Sequence, residues 1–487
     1  MWGARAFGIG LMSLFFIIAS ESRAIPPFSR RYSTSCSTCH APLPPKLNHF
    51  GQAFKDRGFR MPGDDALYLS APDVELGAEA WKVRWPDAIW PGAIPDTLPM
   101  GLRVILEARL APAGPAGEAE EEHAHEAPAL LADEPGHEAG EEPSHLDEES
   151  GGEEGHQEAE EQPDHLNNEP GEEHAKEATV PRKLRLIVPR EVEFLVGGTA
   201  GAHVSYWSVV EFGPEDVELH AVYGQLDNLF DSTLLNLRVG KFQLRLPAFN
   251  SHQVYTATPY YVATVAPEYG GAKRFAIGGA KSAIELWGVR SVATTGGGLR
   301  YSLGMVNTSG TEATALKDFY GRVAYKFGGI GTGASLEEIT GELKPTGNWI
   351  DDSVTLGAFG YRGFWGDQEE PFLRLGADLD LWYRTLNLYG IVLYGQDDLH
   401  EESDDLKFTA WSVGADWIVF PWAILTARYE GARFQAVGDE PERTVQRVVP
   451  GVRLGLRANA AFNLEAVLFL EERSEENYGL ARFDIAF

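Results

Sequence analysis

From Leu184 onward the chain repeats one unit, about ten residues of alternating polarity followed by a turn. In Phe462 to Leu470, Phe462, Leu464, Ala466, Leu468 and Leu470 share one face, opposite Asn463 and Glu465. Leu373 to Tyr383 alternates in the same way, with Arg374, Asp378 and Asp380 on the polar side, and Val452, Leu454 and Leu456 alternate with Arg453 and Arg457. A period of two is that of a strand with one apolar and one polar face. Strands predicted to begin near residues 100, 187, 201, 216, 233, 281, 297, 317, 352, 371, 385, 407, 422, 445, 460 and 478 number sixteen, with eighteen as the alternative.

A soluble sandwich and a membrane barrel both alternate, and three features favour the barrel. The strands approach the ~9–11 residues that cross a bilayer at a tilt. Aromatic residues such as Tyr383, Tyr389, Phe420 and Trp422 lie near strand ends, as interfacial girdles do. The chain ends in a strand with Phe483, Ile485 and Phe487 on one face. Connection lengths agree. Short links fall on one side (197–201, 384–386, 420–422, 457–460), and long ones on the other (the segment after the first strand, 245–280, 396–406, 435–444). A long link at 329–351 breaks the alternation and raises the question of a miscounted strand pair. The expected fold is mainly β, a transmembrane antiparallel β-barrel of about 16 strands. Arg374, Asp378, Asp380, Asp416, Arg428, Glu430, Arg453 and Glu465 line its lumen.

The other segments differ in composition. Residues 1–24 carry Arg5, an apolar run over roughly Phe7 to Ala19, and Ser22-Arg23-Ala24, the layout of a secretory signal peptide. The chain carries a net charge of −31, with 72 acidic and 41 basic residues. Residues 118–177 alone hold 23 acidic residues and one lysine. This run, within a loop at 113–180, also holds His123, His125, His137, His145, His156, His165 and His174. It has no aromatic residue and cannot bury enough apolar surface to fold alone, so disorder is expected. Its carboxylates and imidazoles suit weak multi-site metal capture, or it is a solvating tether. No basic stripe suggests nucleic-acid binding.

The only two cysteines stand in Cys36-Ser37-Thr38-Cys39-His40. In a C-x-x-C-H pattern the two thiols form thioethers to haem vinyl groups and the imidazole becomes the proximal iron ligand. A zinc site would want a second pair of ligands, and a disulfide across two residues would staple almost nothing. The expectation is one covalent haem c in a small helical module at 25–62. Pro44-Pro45 precede a predicted helix, Lys46 to Arg57, with Gly58 as its stop. Leu47, Phe50 and Phe54 form one apolar stripe, with the porphyrin face as its expected partner. For the distal ligand, Met61 is the first candidate, His49 in the helix the competitor, and Met100 or an open position the remainder. Residues 63–99, with Trp81, Trp85 and Trp90, form a connector or plug without clear periodicity.

Together the stretches Phe28-Ser29-Arg30-Arg31-Tyr32-Ser33-Thr34-Ser35-Cys36-Ser37-Thr38-Cys39-His40, Pro44 to Lys55 and Gly58-Phe59 resemble the N-terminus of the fused monohaem cytochrome–porin family. That family includes outer-membrane iron(II) oxidases of iron-oxidising bacteria. The resemblance implies haem binding by Cys36, Cys39 and His40, with Met61 carried over as the distal ligand. It also implies iron(II):cytochrome c oxidoreductase activity. Single electrons would pass from an extracellular donor such as Fe(II) to a periplasmic cytochrome c or other carrier, across outer-membrane lipid. The long His/Glu insertion departs from the family pattern. The alternative is a porin or metal-binding channel with a structural or sensory haem.

Overall fold

A computed structural model describes residues 28, 36–56, 58–59, 74–75, 93–94, 100–112, 182–199, 203–246, 254–292, 296–307, 316–329, 350–366, 369–399, 404–438, 440–457, 459–470 and 476–486. The expected signal peptide, the acidic loop, Met61, the three connector tryptophans and Phe487 lie outside these residues.

Sixteen antiparallel strands close into one barrel. The first eight are β1 (Met100–Pro112), β2 (Arg182–Thr199), β3 (Val204–Phe212), β4 (Val217–Leu226), β5 (Asn236–Gln243), β6 (Ala280–Val292), β7 (Gly297–Asn307) and β8 (Lys317–Gly328). The others are β9 (Asp351–Trp365), β10 (Glu370–Arg384), β11 (Leu386–Asp397), β12 (Leu406–Phe420), β13 (Ala423–Phe434), β14 (Arg443–Arg457), β15 (Ala460–Phe469) and β16 (Tyr478–Ala486). Each pairs with its sequence neighbour, and β16 closes on β1 through Gly479↔Leu110 to Ala486↔Arg103. Closure leaves no strand edge, the condition for a sheet to cross hydrocarbon. The count of sixteen stands, because β8 pairs directly with β9 from Phe319↔Arg362 to Gly328↔Ser353. The 329–350 connection is therefore a long link at the short-turn end.

The alternation seen in the sequence is the inside–outside alternation of the wall. Leu375, Leu379, Val413, Trp417, Leu425, Leu464 and Leu468 point outward. Tyr383, Phe420 and Trp422 do so at the short-turn end. Arg374, Asp378, Asp416, Arg428, Glu430, Arg453 and Glu465 are buried on the lumen side. Such an apolar belt around a closed polar interior marks a transmembrane barrel of the outer-membrane type.

Two segments of the chain enter the lumen. At the end that carries Met100 and Ala486, residues 36–56 and 58–59 enter as a plug. The connection between β5 and β6, expected to be an outer loop, instead folds inward from the other end. Its Tyr255, Tyr260, Val262, Phe275 and Ile277 are buried. It is pinned by wall charges that bond its backbone. Glu465 accepts from Ala257 and Thr258, Glu430 accepts from Tyr261, and Arg428, Arg447 and Arg374 donate to the carbonyls of Thr258, Pro259 and Phe275. Alternation alone could not show this fold-back, because the loop has no period. The energetic reason is that a buried charge is tolerated only with a partner, and the loop backbone supplies several.

The wall makes a direct prediction. Val413 sits at the centre of β12 and faces outward, 54 % exposed. Val413→Arg should destabilise the barrel in lipid by about 2–4 kcal/mol, the cost of a midplane charge, read by reversible urea unfolding in bilayers. A cost near zero would place this face out of hydrocarbon.

Candidate functional site

The plug is built around the Cys36–His40 segment. Helix α1 (Cys36–Cys39) is a single turn, closed by the His40 amide donating to the Cys36 carbonyl at 2.9 Å. The chain then loops back through Pro44-Pro45, so that Ala41 N–H meets Lys46 O at 3.0 Å and Asn48 N–H meets Cys39 O at 2.9 Å. Helix α2 (His49–Asp56) follows. It begins three residues later than the predicted Lys46, because residues 46–48 are needed to pair with the loop, where Leu47 bridges His40. Leu47 thus leaves the helical stripe.

Asn48 holds the loop and the helix together. Its Oδ1 caps α2 by accepting from Gly51 N–H at 2.8 Å. Its Nδ2 donates to the carbonyls of Thr38 (2.9 Å), His40 (3.2 Å) and Ser37 (3.3 Å). One side chain so satisfies a helix-start donor and three carbonyls of the Cys–His segment. Gly51 lets α2 lie against that segment, since a Cβ there would fall 2.0 Å from the Cys39 carbonyl oxygen. Neither role was read from the sequence, although Asn48 ahead of a helix is a recognisable cap signal.

The two thiols form no disulfide. Burial, reinforced by the neighbouring Cys36, pushes the Cys39 thiol up to about 12. Burial also holds the His40 imidazole down to about 4. The backbone of Lys46 and Pro45 opposes that shift, and the positive charges of Arg453 and Arg103 add to it. His40 is therefore neutral at physiological pH, the form in which imidazole ligates a metal. Its Nδ1 is buried without a hydrogen-bond partner. A C-x-x-C-H loop with uncoupled thiols and a neutral imidazole bearing an unsatisfied ring nitrogen fits the donor set of a covalently held haem.

Three anchors fix the plug to the wall. Lys46 Nζ reaches Asp416 Oδ2 (2.6 Å) and Asn387 Oδ1 (2.7 Å) and lies over the rings of Tyr255, Trp382 and Tyr389. His49 Nε2 lies 2.6 Å from Asp351 Oδ2, which Lys326 also pairs at 3.1 Å. Asp56 sits 3.0 Å from both Arg245 and Arg300, and its carbonyl accepts from Gln225. Burial disfavours the Asp56 carboxylate, but these guanidiniums prevail and hold its pKa below the ordinary value. Beyond the helix, Gly58 (φ +71°) turns the chain where a Cβ would fall 2.2 Å from Ser205 Cβ. Phe59 then stacks on Trp207 at 4.7 Å.

The fate of each predicted residue follows. Phe50 and Phe54 are buried, but in a cluster with Phe59, Trp207 and other lumen residues. The barrel supplies apolar neighbours that the module alone was too small to provide. His49 is committed to Asp351, so the geometry does not aim it at the Cys–His segment. Met100 starts β1 and pairs with Val196. The sequence reading missed an acidic patch on the lumen wall, where Glu191, Glu193 and Glu211 bring carboxylate oxygens within 4.8 Å of one another. Glu193 and Glu211 are cross-strand partners. His220 Nδ1 lies 2.9 Å from Glu211, and Arg103 lies 2.9 Å from Glu193.

Lys46 and Asp416 give the plug a test. Lys46→Met leaves Asp416 buried without its cation, a loss of about 3 kcal/mol, or roughly a hundredfold more undocked plug. Single-channel recording in planar bilayers should show frequent large openings that the unaltered protein lacks. Unchanged conductance would mean that this anchor does not hold the plug.

No family model matches the chain, and no curated protein does. Several solved structures are similar in fold. A loop-deletion mutant of OmpT from Vibrio cholerae is 9% identical, covers 80% of this chain and 99% of its own, and has a TM-score of 0.45. An anion-selective porin from Comamonas acidovorans is 11% identical, with coverage of 80% and 99% and a TM-score of 0.45. OmpF of Salmonella typhi, solved with daunomycin, is 8% identical, with coverage of 80% and 97% and a TM-score of 0.47.

Proposed function

We propose that this chain is an outer-membrane electron-transfer protein of the fused monohaem cytochrome–porin type, passing single electrons from an extracellular donor, Fe(II), to periplasmic carriers. The observation that carries this reading is the position of the Cys36–His40 segment, inside the lumen of a closed barrel and clamped to its wall. Cys36 and Cys39 are the thioether residues and His40 the proximal ligand. A haem c bound there supplies a one-electron iron couple, which matches the Fe(II)/Fe(III) step. Asn48 and Gly51 fix the backbone that carries these three side chains, and Phe50 and Phe54 keep water from their side of the module. Met61 remains the proposed distal ligand, since His49 is occupied by Asp351. The plug lies at the short-turn end, the periplasmic end of such barrels, within reach of a soluble periplasmic cytochrome c. The activity is that of an iron(II):cytochrome c oxidoreductase.

A porin-type channel is the competing reading, favoured by the closed sixteen-stranded wall with its charged lining. The inward loop and the plug count against free solute flow, because together they occupy the lumen from both ends.

The test uses the purified full-length protein in detergent. The mature chain should carry the mass of one haem, and Cys36→Ala with Cys39→Ala should carry none. Anaerobic Fe(II) added to the oxidised protein should bring up the reduced haem spectrum within seconds. A haem-free wild-type chain, or oxidised haem that dithionite reduces and Fe(II) does not, would overturn the proposal. Open-channel conductance in a haem-free chain would favour the channel.

A further inference from the structure

The inward loop enters from the long-loop end and the plug from the short-turn end, and the two touch. Tyr255 of the loop, 1% exposed, shares one buried cluster with Ala41 and Leu43 of the plug and with Trp382, Ile418 and Ile424 of the wall. Lys46 Nζ lies 5.0 Å from the centre of the Tyr255 ring, 5.1 Å from that of Trp382 and 5.6 Å from that of Tyr389. The cage that receives the plug's lysine therefore takes one ring from the loop and two from the wall. Tyr389 is itself packed edge-on by a second loop ring, Tyr260, at 5.7 Å.

The wall holds the same stretch of loop through its backbone. Asn463 donates to the Tyr255 carbonyl at 2.8 Å. Glu465 accepts from the amides of Ala257 and Thr258, the second at 3.0 Å. Arg428 donates to the Thr258 carbonyl at 2.9 Å, and its guanidinium lies 4.3 Å from the centre of the Tyr260 ring. These bonds come from β13 and β15, whereas Lys46 is anchored on Asn387 of β11 and Asp416 of β12. Loop and plug thus have separate anchors on the wall and a common surface between them. A cation over an aromatic face gains most when both are desolvated. With the loop withdrawn, Lys46 would lose one such face and meet water. With the plug withdrawn, Tyr255 and Tyr260, now 1% and 4% exposed, would lose their cover.

We infer that the inward loop and the plug open together, so that a pull on the loop from the long-loop end undocks the plug at the short-turn end. The coupling is reciprocal, because each segment must change the docking of the other by the same factor. Two discrete states are expected, since a packed interior switches between arrangements rather than deforming by degrees. A displacement at one face of the membrane is thereby carried to the other while the barrel wall stays in place. The coupling needs no haem, so a haem-free chain would overturn the proposed function and leave the coupling standing.

Two measurements on the full-length protein test the coupling from opposite ends. In planar bilayers, Glu465→Ala loosens the loop without altering a plug anchor and should raise the frequency of large openings about tenfold. Added to Lys46→Met, it should contribute less than that factor, the non-additivity of a coupled pair. In the other direction, Val262→Cys places a thiol on a loop position that is 1% exposed. A membrane-impermeant maleimide at the long-loop side should label residue 262 about tenfold faster when Lys46→Met is also present, read by mass spectrometry of the peptide that holds it. Tyr255→Leu removes the shared ring and should cancel that acceleration. Opening frequencies that simply multiply in the double variant, or labelling that Lys46→Met leaves unchanged, would overturn the inference. Should Glu465→Ala fail to form a barrel on unboiled gels, the labelling decides. Should Lys46→Met fail, an unchanged opening frequency in Glu465→Ala would overturn it.

Discussion

Everything in this protein depends on a sheet with no edge. Hydrocarbon offers no partner for a backbone amide, so each strand must find both neighbours within the chain. The pairing of β16 with β1 meets that demand and joins residue 479 to residue 110. It also forces the polar faces inward. The result is a cylinder whose interior holds Arg374, Arg428, Glu430, Arg453 and Glu465, all charged and all buried. A lumen of that kind must contain water, a ligand or more protein.

The chain resolves this with two of its own segments. Buried charges of the barrel become anchors for backbone and side chains. Glu430 and Glu465 take amides of the inward loop, while Asp416, Asp351 and the Arg245–Arg300 pair take Lys46, His49 and Asp56 of the plug. A buried ion pair adds little net stability over an apolar core, but breaking one by removing a partner is costly. Such contacts therefore fix where the plug sits more than how stable the barrel is.

Much of the architecture was legible because a strand has a period of two. Leu373 to Tyr383 shows its two faces in the bare sequence, and strand starts at 100, 297, 317, 460 and 478 agree with the structure. Link lengths separated the two ends, and only 329–350 seemed out of place. What stayed hidden has no local signature. Tyr255, Tyr260 and Phe275 follow no pattern, and their burial depends on residues far away in the chain, such as Asn463, 208 positions from Tyr255. The helix start was misjudged by three residues because Pro45 is a good helix opener locally. Tertiary pairing of Leu47 with His40 outweighed that preference. Cys36, Cys39 and His40 stood out by spacing alone.

The placement of the Cys–His segment also bears on how one haem, as proposed, could serve an insulating bilayer. The hydrocarbon core is about 30 Å thick, and a cofactor outside it would leave the donor on the wrong side. Residues 36–59 contact β2, β3 and β4 on one side of the wall and β11, β12 and β14 on another, so the Cys–His segment lies within the cylinder. Under the proposed function, the donor would then need only enter from the long-loop end. With a haem bound there, as proposed, the barrel would shorten the distance that a single redox centre must cover, while the inward loop and plug narrow the lumen around it.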